Sequence, residues 1–266
     1  MLSAPSMRLN RSNACWLALA IITAGYLVFW LFLLGATANY ATMPAWAKVL
    51  ESPEIRHATG LSLISCTLAS AFALLLAIPV GYLMSRQSFP GKSWIDAALD
   101  IPIILPPLVV GLCLLIFFQT WMGKVIESAI PFTYTVAGVV LAQFVVAASF
   151  AIRTMRGTFD HLSARPEEVA LTLGCTRFQA LWHVALPAAR RGMVAAFCIA
   201  WARSLGEFGP ILVFAGATRM KTEVLPTTVW LELSVGNLEA AVVVSLLMVA
   251  MAVLVLVVVR TTGERV

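Results

Sequence analysis

Residues 57–85, HATGLSLISCTLASAFALLLAIPVGYLMS, contain no aspartate, glutamate, lysine or arginine. A helix that crosses a hydrocarbon core roughly 30 Å thick needs about 20 residues, so this stretch can span a bilayer by itself. Four more charge-free windows follow the same rule, at 12–47, 101–123, 128–152 and 240–259. Of the 266 residues, 61% are apolar and 12% charged, and the mean hydropathy is +0.92. Soluble domains run near half apolar and about a quarter charged. The chain therefore reads as an all-α, multi-pass membrane protein, a single domain over 1–266.

Six spans are expected, near 15–36, 60–83, 101–120, 134–152, 193–216 and 240–259. The fifth alone has charges inside it, Arg203 and Glu207. An even count puts both termini on one side. That side collects Arg8, Arg11, Arg86, Lys92, six arginines from Arg153 to Arg191, Arg260 and Arg265, twelve of the 18 basic residues. Basic excess marks the cytoplasmic face, so both termini are expected inside. Arg8, Arg11 and the sequence Ala36-Thr37-Ala38 give the first span the outline of a signal peptide. Its apolar run of about 20 residues exceeds the 7–15 of a signal h-region, and it reads as a retained anchor. The first span and its outside loop, 12–59, are set apart from a core at 60–259.

Other classes fit poorly. The five cysteines are odd in number and form no CxxC pair, which argues against a disulfide framework or a metal site. In a membrane chain a net charge of +5 reports topology, and no nucleic-acid partner is expected. Gly91-Lys92-Ser93 has the ending of a phosphate-binding loop, but the earlier glycine such a loop needs is replaced by Arg86. HExxH and GxSxG motifs are absent, and His57, His161 and His183 all lie outside the spans, so no catalytic residues are assigned.

The longest non-membrane stretch is 153–192, and within it 163–187 reads as helix, glycine turn, helix. Pro166, Glu167 and Glu168 suit a helix first turn, and Gly174 suits a left-handed stop. Thr176 with Gln179 makes a capping-box pattern. Pro187 is expected to end the second helix. Phe178, Leu181 and Trp182 supply an apolar contact face, which fits either a docking surface or a helix pair resting on the bilayer. Glu168-Val169-Ala170, three residues, Gly174, nine residues and Val184-Ala185-Leu186-Pro187 resembles the coupling-loop signature of the inner-membrane permeases of binding-protein-dependent ABC importers. Val169 and Val184 depart modestly from the alanine and isoleucine of that signature. The resemblance implies that Glu168, Ala170, Gly174, Phe178, Leu186 and Pro187 dock on a separate pair of ATPase subunits, where ATP and magnesium would bind, with no cofactor on this chain. It further implies an external binding protein, a homodimer of this chain and a location in the inner membrane.

Two membrane segments carry further signals. The third span opens Ile101-Pro102-Ile103-Ile104-Leu105-Pro106-Pro107-Leu108-Val109-Val110-Gly111, and its three prolines prevent a regular start. Such irregular backbone is tolerated in a membrane only where protein or a water-filled cavity satisfies it. An inert kink is the plain alternative. The string resembles molybdate-type permeases; sulfate-type relatives tend to have Pro-Thr where this chain has Pro106-Pro107. In the fifth span, Arg203-Ser204-Leu205-Gly206-Glu207-Phe208-Gly209-Pro210 places two opposite charges at i and i+4. Charges at that depth normally face an interior or aqueous cavity, while Gly206, Gly209 and Pro210 permit close approach and a bend. An ion pair that only fixes packing is the alternative to a gate. The stretch is similar to one shared by molybdate, tungstate and sulfate importer permeases, which implies a pore or gate made by Arg203, Gly206, Glu207, Phe208, Gly209, Pro210, Pro106, Pro107 and Gly111. The substrate implied is a tetrahedral oxyanion, molybdate or tungstate first, with sulfate or thiosulfate next. An ungated channel would leave the coupling-loop spacing without a reason.

Overall fold

The computed structural model describes residues 11–263; the topology expectations resting on Arg8 and Arg265 lie outside them. Thirteen α-helices are found among the described residues: α1 (Arg11–Tyr40), α2 (Met43–Glu51), α3 (Pro53–Arg86), α4 (Lys92–Ile104), α5 (Pro107–Gln119), α6 (Trp121–Ala129), α7 (Val136–His161), α8 (Arg165–Thr172), α9 (Arg177–Ala180), α10 (Leu186–Leu205), α11 (Gly209–Phe214), α12 (Leu225–Ser234) and α13 (Leu238–Gly263). Five helical stretches are long and apolar enough to cross a membrane, or six if α4 and α5, which meet at a sharp bend, count as one broken span. The all-α architecture with several candidate membrane helices is thus as the apolar composition and the charge-free windows require.

The centre of the bundle is α3 packed on α7, with α10 against both. Small side chains make this closeness possible. Ala73 and Ala77 of α3, Ala147 and Ala151 of α7, and Ala189, Ala196 and Ala200 of α10 are buried together with Met155 and Phe159. Lipid supplies no hydrophobic drive between helices, so such contacts rest on close van der Waals packing. Outside this core, α11 lies on α5, and α2, α10 and α12 gather around α13. From Cys15 to Tyr40 nearly every residue of α1 is exposed, and its main neighbour is α13.

Two spans differ from expectation. The third does not start at 101. Its helix begins at Lys92, holds Pro102 in its interior, and breaks at Leu105 and Pro106 before turning by 109° into α5. The cause is local: a proline pushes the preceding residue out of the α region, and Leu105 (ψ 140°) and Pro106 (ψ 133°) each precede one. The fifth span is displaced toward the N-terminus. Its helix runs from Arg177 to Leu205 without interruption, so Pro187 does not end a separate coupling helix. A π-helical turn over Leu181–Ala185 takes up the disturbance, with the Leu186 amide donating to the Leu181 carbonyl. Such a turn shifts the register by one residue and accommodates a proline that would otherwise break the ladder.

Candidate functional site

The 163–187 segment folds as its local signals require. Pro166 sits in the first turn of α8. Gly174 takes φ +94°, its amide reaches the Leu171 carbonyl at 3.0 Å, and the Cys175 amide reaches that of Ala170 at 3.0 Å. This is a Schellman stop, which needs a residue without Cβ strain at the left-handed position. Thr176 and Gln179 form the reciprocal capping box, with bonds of 3.3 and 2.8 Å. The outward face is strongly apolar: Val169, Leu171, Leu173, Phe178 and Trp182 are exposed, and the last two rings stack with centroids 6.3 Å apart. Glu168 and Pro187 are exposed, while Ala170 and Leu186 are half-buried. An apolar patch of this kind projecting from a bundle suits contact with another protein.

Beneath that face lies an ion pair that sequence reading did not single out. Glu167 is the one buried residue of α8 among the described residues. Its Oε1 accepts from Arg86 Nη2 at 2.9 Å and Nε at 3.1 Å, and its Oε2 accepts from the Tyr82 hydroxyl at 2.8 Å. Arg86, the last residue of α3, also donates to the carbonyls of Phe159 at 2.8 Å and Leu162 at 3.0 Å. The side chains are 14% and 9% exposed. A cation at the C-terminal end of α7 and an anion at the N-terminal end of α8 both agree with the helix dipoles. Nearby, Asp96 of α4 pairs with Arg156 of α7, and Asp100 pairs with Arg153 at 3.6 Å.

The second site is where α10 stops. Arg203 is in its last turn, Gly206 caps it, and Glu207 lies in the non-helical link to α11. Arg203 Nη2 and Glu207 Oε1 are 2.7 Å apart, with side chains 30% and 1% exposed. The expected pair forms, although the helix that was to carry it has ended. Its geometry is not that of a hydrogen bond, and Glu207 Oε1, Ser204 Oγ and Gln143 Oε1 are buried without a hydrogen-bond partner among the described residues. Gln143 of α7 bridges helices: Nε2 donates to the Ser204 carbonyl at 3.3 Å and to Cys66 Sγ at 3.5 Å. Arg203 also lies 5.5 Å from the centre of the Phe150 ring, a cation–π distance.

The two membrane signatures meet here. A hollow beside Glu207 is lined by Pro106, Pro107, Leu108, Arg203, Gly206, Phe208 and Gly209. A Cβ on Gly209 would lie 2.9 Å from the Leu108 amide nitrogen, and one on Gly111 would lie 2.9 Å from Pro210 Cα. These two glycines let α5 and the start of α11 touch backbone to backbone. Gly206 does not share that role: it is exposed and has no close neighbour, so it ends a helix and does not join two. The missed features, Arg86, Glu167 with Tyr82, and the orphaned oxygens, are contacts between segments far apart in the chain.

The fold is thus a helical bundle with one helix pair bent at a proline break and an apolar face projecting from a helix–turn–helix. The chain belongs to the family described as binding-protein-dependent transport system inner membrane component, whose profile matches residues 77–264. It is 31% identical over 241 residues to the sulfate transport system permease protein CysT of Escherichia coli, an alignment covering 87% of this chain and 86% of that one. It is 32% identical over 250 residues to a probable molybdenum ABC transporter permease protein of Haloferax volcanii, covering 93% and 91%. Among solved structures, a bacterial alginate ABC transporter bound to a periplasmic protein shares the fold with TM-score 0.74, at 15% identity over 98% of both chains. The chain is thus a permease subunit of an ABC importer.

Proposed function

We propose that this chain is the pore-forming subunit of an importer for a tetrahedral oxyanion, molybdate or tungstate first, with both termini in the cytoplasm. The observation that carries the reading is the meeting of Pro106-Pro107 with the Arg203–Glu207 pair at one hollow. Arg203 is a cation at depth that water can reach in part, and its carboxylate partner is held without a hydrogen bond. An anion passing the break would compete with Glu207 for that guanidinium, since Arg binds oxyanions through the same donors. Glu207 would repel the anion, so its place is in holding the break closed until Arg203 is needed.

The apolar face of 163–187 would seat on a partner ATPase, with Glu168, Ala170, Gly174, Phe178, Leu186 and Pro187 shaping or supporting it. Two copies of this chain would enclose the path, with ATP and magnesium held by the partner and the anion brought by an external binding protein. Closure of the ATPases would then move the spans as rigid bodies. Sulfate is the second reading, because the relatives include a sulfate permease at nearly the same identity as the molybdenum permease.

The test is purification of the tagged chain in mild detergent with its ATPase, beside Gly174→Val. Stoichiometric ATPase that is lost in the variant supports the docking loop, because a β-branched residue at φ +94° distorts the turn. Hydrolysis stimulated by binding protein loaded with molybdate or tungstate, and not with sulfate, supports the first substrate. Stimulation by sulfate alone overturns it, and equal ATPase binding by the variant overturns the loop assignment.

A further inference from the structure

We infer that Arg86 and Glu167 form the joint through which the docking loop drives the membrane helices. This rests on the docking-loop reading above. The large apolar residues of α8, Val169 and Leu171, face outward, and its one buried side chain among the described residues is a carboxylate. Apolar packing, which can slip, is therefore a minor part of what ties α8 to the bundle.

The tie is one guanidinium that holds three helix ends. Arg86 terminates α3, caps the last turn of α7 through the Phe159 and Leu162 carbonyls, and grips Glu167 in the first turn of α8. Tyr82 donates to the other carboxylate oxygen and lays its ring edge-on against Phe159, with centroids 5.4 Å apart. Two donors from a planar guanidinium and one from a phenol fix both the distance and the orientation of a carboxylate. A displacement of α8 is then passed to α3 and α7 together, the two helices that form the bundle's centre. From α7 the Arg153–Asp100 and Arg156–Asp96 pairs lead to α4, the half-span joined by the proline break to α5. Since α5 lies on α11 at Gly111 and Pro210, the chain of contacts reaches the translocation break. Arg86, Glu167 and Tyr82 are positioning residues: they hold the ends of α3, α7 and α8 relative to one another.

The experiment uses the complete transporter, with its ATPase and binding protein, in proteoliposomes, and reads anion uptake per ATP hydrolysed. Glu167→Gln keeps the shape of the side chain and removes its charge. It is expected to retain stoichiometric ATPase and to lower uptake per ATP by roughly fivefold or more, the lower end of typical coupling between sites. Uptake per ATP is a ratio, so a purely structural role, which changes the amount of folded transporter and scales both rates together, would leave it unchanged. If Glu167→Gln does not accumulate, Tyr82→Phe carries the test, since it removes one bond from the same carboxylate and leaves the ion pair. A smaller fall in uptake per ATP then supports the joint. An unchanged ratio in the variant tested overturns it, as does loss of ATPase binding in folded Glu167→Gln. Failure of the docking-loop reading looks different: there Gly174→Val also keeps its ATPase.

Discussion

Two arginine–glutamate pairs lie at opposite ends of the proposed chain of transmission, and they are built differently. Arg86 and Glu167 are 81 positions apart in sequence, and both carboxylate oxygens are hydrogen-bonded. Arg203 and Glu207 are four apart, straddle the end of a helix, and leave Oε1 of a buried carboxylate outside hydrogen-bond geometry. A partly buried pair with satisfied lone pairs holds one geometry, because any movement strands a group in low dielectric. A pair without a hydrogen bond is held by charge and not by a fixed orientation, so its partly exposed cation can reorient toward an anion while staying close to the buried carboxylate. The same two side chains thus serve as a fixed connection in one place and a releasable one in the other.

The strongest way to break that comparison is Arg86→Ala. It leaves the Glu167 charge and the Phe159 and Leu162 carbonyls without this donor, and loss of one partner from a buried pair costs about 3–5 kcal/mol. Thermal unfolding of the purified protein in detergent should show a large drop in midpoint. A midpoint near that of the wild type would mean that water solvates Glu167 and that the pair is not a fixed connection.

Next in size is Gly111→Ala, which probes the contact between the broken span and α11. The new methyl meets Pro210 Cα at 2.9 Å and the Pro210 carbonyl oxygen at 3.0 Å. Backbone atoms cannot swing aside, so overpacking of about 1–3 kcal/mol is expected. Gly60→Ala, with nothing within 4 Å, is the control and should be neutral or slightly stabilising. Equal effects at the two positions would show that α5 and α11 separate easily.

Glu207→Gln should alter stability by no more than about 1 kcal/mol, because the charge left behind, on Arg203, is partly exposed and keeps Phe150. Its effect should appear in function. Hydrolysis without binding protein should rise by roughly fivefold as the break loses its restraint. A large loss of stability with unchanged basal hydrolysis would make this pair a packing device like any other.

What was legible in the sequence was what is decided locally. Charge-free runs report spans because a charge in hydrocarbon is expensive wherever it occurs. The Gly174 stop and the Thr176 capping box were readable because all their partners lie within a few residues. Asp96 and Asp100 precede the third span as its charge-free window draws it, yet α4 is helical from Lys92 and both pair with arginines of α7 more than fifty residues on. Pro187 reads as a helix end, yet a π-helical turn just before it lets the helix continue. Glu167 reads as a first-turn acid, and nothing near it in sequence points to Arg86. Tertiary pairing decides these cases, and one chain alone does not display it.

A third buried carboxylate calibrates both pairs, because no arginine is bonded to it. Glu223 lies in the turn before α12, is fully buried, and accepts from Thr228 Oγ1 at 3.0 Å through Oε1, while Oε2 has no hydrogen-bond partner among the described residues. Burial pushes its carboxyl above the usual range, against the smaller lowering effects of Thr228 and the nearby Arg219 guanidinium. A carboxyl raised in the folded state binds its proton more readily there than in the unfolded chain. Its contribution is therefore present below the unfolded value and is lost as pH rises through the folded one. Lowering the pH from neutral toward that of an ordinary carboxylate should raise the unfolding midpoint slightly, and Glu223→Gln should remove this part of the slope. The change should be the smallest of the set, since Thr228 bonds an amide oxygen as it does a carboxylate oxygen. The opposite slope, with stability contributed by Glu223 lost on acidification, would mean that Arg219 holds the carboxylate ionised. In that event Glu223 would belong with Glu167 among the fixed pairs.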